Sequence, residues 1–392
     1  MKFVTRLFPS ILVTVQCKIL HIFDDAIISQ STINLFKKIE GFEQTFAAII
    51  PSSIKKLGSI NNEHSVIQLK NSGTLVNEIA ALIEEHDIII FQALSFEKAK
   101  SMLRKRFKTK VFIWGLWGYE LYNVVNYFKP NSENAYSTEV RHESSIKQRI
   151  RDFYTYNWVY TRAIRKIDIC LFLLESDFKL LTQAVKTKAN WYTSCYQTIE
   201  NLFGNSAPFD VRGNAILIGN SSTPSNRHPY LFKKLKELDL SERKLLVPLS
   251  YGDLTYQKTV ISEGEKLFDN SFSPITTFMN LDDYIDHLKE CSHAIFGHKR
   301  QQAFGNILMM LYAGSKIYLS KENPLYAWFK SRNIHIYSIE EELNNVDFSY
   351  FPENLKNENK ELINALISEK IILNQLNNLL TQARLLSEQK LK

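Results

Sequence analysis

The run Ala215-Ile216-Leu217-Ile218-Gly219-Asn220-Ser221-Ser222-Thr223-Pro224-Ser225-Asn226-Arg227-His228 decides the fold. It passes from four apolar residues through a glycine into a loop of hydroxyls and amides, and a helical pattern follows from about residue 229 to 238. An apolar run without alternation reads as a strand buried on both faces, the signature of a parallel sheet with helical crossovers. The rhythm continues downstream. A strand at 244–249 ends in Ser250-Tyr251-Gly252, and a strand pattern at 275–278 leads into a helix at 281–291. A strand at 294–296, a helix at 306–313 and a strand at 316–319 follow.

Working upstream, the same alternation occupies the first half. Strand patterns at 18–23, 46–50, 66–69, 87–91, 111–114 and 167–174 are interleaved with helical spacing at 26–39 and 75–84, a basic helix and an aromatic one. Between the halves lies Asn205-Ser206-Ala207-Pro208-Phe209-Asp210, with Gly213-Asn214 beyond it, the composition of a linker. Two consecutive βα arrays predict two doubly wound, Rossmann-like α/β domains facing each other across a cleft. The expected divisions are an N-terminal extension over 1–16, a first domain over 17–210, a second over 211–345, and a helical tail over 346–392 that packs back on the body.

Composition agrees with a chain that buries a sizeable core. Of 392 residues 45% are hydrophobic and 23% charged, with 48 Lys+Arg against 41 Asp+Glu for a net charge of +7. Disordered, collagen-like and coiled-coil chains are excluded. The four cysteines (Cys17, Cys170, Cys195, Cys291) are scattered, which argues against a disulfide framework or zinc ribbon and for a reducing, cytoplasmic setting. No stretch of 18 uncharged apolar residues occurs, so no spanning helix is expected. Lys2 and Arg6 ahead of Leu7-Phe8-Pro9-Ser10-Ile11-Leu12-Val13 have the look of a short signal segment, but no small-residue cleavage site follows. This segment is expected to be an extension or surface anchor.

The positive charge is clustered. One group is Lys98, Lys100, Arg104, Lys105, Arg106, Lys108 and Lys110. Another is Lys147, Arg149, Arg151, Arg162, Arg165 and Lys166, around Phe153, Tyr154, Tyr156, Trp158 and Tyr160. Such clusters suit an anionic membrane surface, or else a solvated face over ordinary core aromatics. Nucleic acid is a poor fit, because no recognition motif accompanies them.

Four strand-end loops of the second half are candidates for chemistry. Gly219, Asn220, Ser221 and Ser222, with Asn226 and His228, offer close backbone approach and donors to a diphosphate, or simply a capped βα loop. This is neither a Walker loop nor a G-x-G-x-x-G fingerprint. Tyr251 and Gly252 end the next strand, where a tyrosine stacks on a base or closes the sheet. Lys299, Arg300, Gln301 and Gln302 open a helix, and cations there are disfavoured by the dipole unless an anion is present. Glu322 and Asn323 form a turn able to accept hydrogen bonds from sugar hydroxyls. In the first half, Trp114-Gly115-Leu116-Trp117-Gly118-Tyr119-Glu120-Leu121-Tyr122 offers flat apolar faces for sugar rings. Asp24, Asp25 and Glu120 are the candidate general bases.

In their order and separations these stretches resemble the bacterial TDP-N-acetylfucosamine:lipid II N-acetylfucosaminyltransferases (4-alpha-L-fucosyltransferases, glycosyltransferase family 56). The resemblance rests on residues 112–122, Ile216-Leu217-Ile218-Gly219-Asn220-Ser221, Ser225-Asn226-Arg227-His228, Val247-Pro248-Leu249-Ser250-Tyr251-Gly252, Arg300-Gln301-Gln302 and Leu319-Ser320-Lys321-Glu322-Asn323-Pro324. It covers roughly 18–340. It implies a GT-B fold and metal-independent transfer, without a cofactor, of a TDP-linked acetamido-dideoxyhexose to a polyprenyl-diphosphate-linked saccharide in surface polysaccharide (O-antigen or common-antigen) assembly. It also implies a peripheral position on the cytoplasmic face of the inner membrane. By the same analogy the second domain holds the nucleotide and the first meets the acceptor. Asp25 matches the family better than Asp24. Glu120 stands where an aspartate is expected, and Ala303 where a glycine is. The competing readings are another GT-B enzyme (a different sugar, a lipopolysaccharide-core acceptor, or a sugar-nucleotide epimerase) and a non-catalytic membrane-surface binding protein on the same scaffold.

Overall fold

The computed structural model describes residues 17–51, 60, 66–129, 145–204, 206–240 and 243–392. The expected extension over 1–16 lies outside the described residues. The strands are β1 (Lys18–Asp24), β2 (Glu43–Ile50), β3 (Val66–Lys70), β4 (Ile88–Gln92), β5 (Val111–Gly115), β6 (Ile169–Leu171) and β7 (Asn190–Tyr192) in the first half. The second half holds β8 (Ala215–Ile218), β9 (Leu245–Pro248), β10 (Phe272–Ile275), β11 (Cys291–Phe296), β12 (Lys316–Leu319) and β13 (Tyr337–Ser338).

They form two sheets, ordered β3-β2-β1-β4-β5-β6-β7 and β10-β9-β8-β11-β12-β13, with all pairs parallel. Successive side chains of a strand point to opposite faces. In β1, Ile19 and Phe23 therefore join one apolar core and Leu20 and Ile22 another, and both faces carry helices. In both sheets the order reverses beside the first strand, between β1 and β4 and between β8 and β11. Those are the positions where doubly wound sheets open a crevice.

Several sequence expectations shift. The 275–278 strand begins earlier, at Phe272, and Cys291 opens β11 instead of ending the preceding helix, Leu281–Lys289. A 15-residue helix, Leu254–Phe268, and the short edge strands β7 and β13 were not anticipated. The aromatic stretch Phe153–Tyr160 is a π-helix. At the carboxyl end of the chain, helix Glu369–Leu391 buries Ile372, Leu376, Leu379 and Leu380. Its Lys390 Nζ reaches Asp168 Oδ1 at 2.7 Å, returning the chain to the first sheet. No helix among the described residues is long and apolar enough to cross a membrane.

Candidate active site

The loop leaving β8 is shaped by Gly219, whose φ is +68°. A β-carbon there would stand 2.5 Å from Asn226 Oδ1 and 2.8 Å from His228 Nε2, so only glycine admits the carboxamide beneath it. Asn226 is fully buried and holds the loop from inside. Its Oδ1 accepts from the Asn220 backbone N–H (2.9 Å) and from His298 Nε2 (2.8 Å). Its Nδ2 donates to Thr223 Oγ1 (2.8 Å) and Ser221 Oγ (3.0 Å). Accepting that backbone N–H identifies the Asn226 atom as oxygen, so His298 carries its hydrogen on Nε2. Burial pushes His298 well down and His228 to about 3, so the bed beneath the loop is uncharged at neutral pH.

The loop leaving β11 meets this one through Gln302. Gln302 Oε1 accepts from Arg300 Nε (2.8 Å) and Ser225 Oγ (2.7 Å), while its Nε2 donates to Asn220 Oδ1 (3.1 Å). Asn220 Nδ2 in turn donates to Tyr251 Oη at 2.8 Å. A cavity of about 560 Å³ opens above this network. Asn220, Ser221, Thr223, Tyr251 and residues 300–305 line it from the second half, and Leu116, Trp117, Gly118, Tyr119 and residues 194–197 from the first. Arg300 is only 4% exposed and is the sole charged side chain lining this cavity among the described residues. Burial lowers its guanidinium to about 10, still charged at neutral pH. The first turn of helix Phe304–Ala313 borders the same space, adding the positive end of a helix dipole. A neighbouring cavity of about 450 Å³ shares Asn220 and Tyr251 and is otherwise walled by apolar and aromatic groups, including Ile275, Phe278, Met279 and Tyr284, together with the polar Ser250, Asn280 and Asn306.

Of the candidate binding residues, Asn220, Ser221, Tyr251, Arg300, Gln301 and Gln302 line the main cavity. Gly219, Asn226 and His228 lie beneath it as support. Ser222 and Gly252 join the loops after β8 and β9: Ser222 Oγ donates to the Tyr251 carbonyl at 2.7 Å, and Gly252 (φ +124°) presses against the Ser222 backbone. Lys299 and Glu322 pair with each other at 2.7 Å beside a separate cavity of about 280 Å³. Lys299 therefore does not join Arg300 in one cationic pair. Asn323, fully buried, caps helix Pro324–Lys330 by accepting from the Leu325 N–H.

Neither carboxylate expected to act as base, Asp25 or Glu120, lines the cavity. Glu120, 2% exposed, sits behind the Trp114–Tyr119 turn, where its Oε1 accepts from Trp117 N (2.9 Å) and Trp114 Nε1 (3.2 Å). Burial raises its pKa. Asp25 follows the end of β1 and is half-buried, and its backbone N–H donates to the Ile49 carbonyl. The adjacent Asp24 is bound to the fully buried Lys98 at 3.0 Å. The sequence reading did not single out residues 194–197, which follow β7 and line the cavity. The signal that leads to them is β7 itself.

The two halves are also joined by hydrogen bonds. Tyr122 Oη accepts from the Gln301 backbone N–H (2.9 Å) and donates to Asp177 Oδ1 (2.7 Å), and the Arg300 guanidinium lies over the Tyr122 ring, 5.3 Å from its centroid. Burial pushes Asp177 up to about 7.

A model of the family described as 4-alpha-L-fucosyltransferase glycosyl transferase group 56 matches residues 141–383. Among solved structures, the fold is similar to sucrose-phosphate synthase from Thermosynechococcus elongatus, with a TM-score of 0.65 and 9% identity over 94% of this chain and 99% of that one. It is similar to Anabaena HepE in complex with UDP and glucose, with a TM-score of 0.64 and 11% identity over 94% of this chain and all of the other. The S. aureus MnaA–UDP structure matches at a TM-score of 0.50 and 10% identity, over 93% of this chain and 97% of that one. The architecture is the GT-B fold, two parallel-sheet α/β domains.

Proposed function

The chain belongs to the 4-alpha-L-fucosyltransferase family, glycosyl transferase group 56, and from that premise we propose that it moves a TDP-activated acetamido-dideoxyhexose onto a polyprenyl-diphosphate-linked saccharide during surface polysaccharide assembly. The proposed setting is the cytoplasmic face of the inner membrane. The observation that carries this is Arg300, a buried charge held by Gln302 in a cavity with no carboxylate among its described lining residues. A buried cation so placed, beside a helix N-terminus, is suited to an anion and above all to the negative charge that grows on a departing diphosphate.

The donor diphosphate lies over Asn220 and Ser221 against Arg300. The nucleoside extends past Tyr251 into the neighbouring cavity, where Phe278 and Tyr284 offer aromatic faces and Ser250, Asn280 and Asn306 offer polar groups. The acceptor approaches from the side of Trp117 and Tyr119. The acceptor hydroxyl oxygen bonds to the sugar's anomeric carbon as the bond from that carbon to the diphosphate oxygen breaks. The electron pair leaves with the diphosphate, and the hydroxyl proton passes to a carboxylate. Of the two candidates we give this role to Asp25, which follows β1 outside the described cavity lining, since the Glu120 carboxylate is committed to Trp114 and Trp117.

Titration calorimetry with TDP, alongside transfer assays, tests the assignment. Arg300→Ala is expected to weaken TDP binding at least tenfold and to slow transfer by about 10²–10³, the usual effect of removing one charge-stabilising donor. Asp25→Asn is expected to keep TDP binding and lose transfer about 10²–10⁴-fold. Unchanged binding and turnover in Arg300→Ala would overturn the proposed diphosphate site.

A further inference from the structure

Residues 146–164 form one continuous helical stretch: helix Ile146–Asp152, the π-helix Phe153–Tyr160 and helix Thr161–Ile164. None of the first helix is buried. Ile146 is 78% exposed, Ile150 67% and Phe153 63%, and Tyr154 and Trp158 are also exposed. An α-helical spacing of four aligns 146, 150 and 154. The π-helix turn that follows keeps Trp158 on the same side as Tyr154. Exposed aromatic and branched groups thus share one face. Tyr154 and Trp158 stack at 5.5 Å. Monomer surfaces seldom carry so many large apolar groups together without a partner.

Lys147, Arg149, Arg151, Arg162 and Arg165, all exposed, flank this face, with the half-buried Asp152 as the stretch's one acid. Arg162 lies over the Trp158 ring at 4.3 Å, and Lys100 over the Tyr154 ring at 5.9 Å. Lys166 Nζ donates to the Met102 and Arg104 carbonyls, which ties the segment after helix Phe96–Ser101 to this helical stretch. The π-helix also packs on helix Tyr119–Phe128, through Tyr156 stacked on Tyr127 at 4.4 Å and Asn157 Nδ2 donating to Tyr127 Oη. Tyr119, the first residue of that helix, lines the main cavity.

We infer that residues 146–165 form an interfacial docking surface for an anionic lipid bilayer, with Ile146, Ile150, Phe153 and Trp158 entering the headgroup–acyl boundary and the flanking cations meeting acidic headgroups. Apolar groups ringed by cations match that interface in both hydrophobicity and charge. The inference deepens the proposed function by placing the cavity mouth at the surface where a lipid-linked acceptor would be met. Its test uses vesicles without acceptor, so its failure and the failure of that reading are distinguishable.

The full chain is sedimented with phosphatidylglycerol–phosphatidylcholine vesicles and with phosphatidylcholine vesicles alone. The wild type is expected to bind the mixed vesicles more tightly, with binding that falls as salt rises. Ile150→Asp with Phe153→Asp should lower the partition coefficient more than tenfold while TDP binding stays unchanged, which reports an intact fold. Lys147→Glu with Arg151→Glu should lower it by about fivefold or more per charge removed. The tryptophan emission shift on vesicle binding should shrink in Trp158→Phe. Any of three results would overturn the inference: wild-type indifference to acidic lipid, vesicle binding unaltered by the apolar substitutions, or a patch that instead mediates self-association abolished by Ile150→Asp.

Discussion

At the scale of single residues, the backbone explains why the site loops carry the side chains they do. Gly219 has no substitute, because a β-carbon collides with the Asn226 carboxamide that holds the loop. Ala303 is the converse case: it precedes helix Phe304–Ala313 with φ +58°, in the left-handed region where a β-carbon is strained. The family resemblance expects glycine at this position, and the conformation gives the physical reason. Ala303→Gly should therefore stabilise the fold by about 0.5–1 kcal/mol, the strain relieved less the entropy that glycine gains in the unfolded chain. Denaturant unfolding checks this through a higher midpoint at unchanged slope. A lower midpoint would mean that the left-handed φ is not a source of strain.

At the scale of elements, the turn between β5 and helix Tyr119–Phe128 depends on a buried carboxylate. Removing Glu120 as Ala leaves the Trp114 indole N–H and the Trp117 N–H without a partner, at about 1–3 kcal/mol each. Glu120→Gln keeps the accepting Oε1. It should retain transfer to within a few-fold, whereas loss of a general base costs about 10²–10⁴. A transfer assay on the Gln variant separates the two roles. The central strands of both sheets were legible because a strand buried on both faces must be an unbroken apolar run, as in Ile88–Gln92. The edges were not. β7 reads Asn-Trp-Tyr, half exposed, and β10 contains Pro274, which only an edge strand tolerates. The omission had a consequence at the site: residues 194–197 line the cavity because they follow β7, and they carry no motif of their own. Likewise the pairing of Lys299 with Glu322 depends on how two strand-end loops meet in space, which spacing along the chain does not encode.

At the scale of the whole molecule, the halves meet at a titratable contact. Tyr122 of the first half accepts the Gln301 N–H of the second and donates to Asp177, 1% exposed, whose carboxyl burial has pushed up to about 7. Below about pH 4 this carboxyl is protonated in both folded and unfolded chains. Between there and pH 7 only the unfolded chain has released its proton, so rising pH favours unfolding, by up to about 4 kcal/mol once the folded group also ionises. Asp177→Asn preserves an acceptor for the Tyr122 hydroxyl and removes the ionisation. Its melting temperature should consequently fall less than that of the wild type between pH 5 and pH 8, with the variant the more stable at the upper end. The contact neighbours Arg300, so TDP affinity measured across the same range reports whether the two halves transmit that ionisation to the cavity. Parallel melting curves for the two proteins would instead mean that Asp177 is already ionised at pH 5, with the Tyr122 hydroxyl and the Arg300 charge together outweighing its burial.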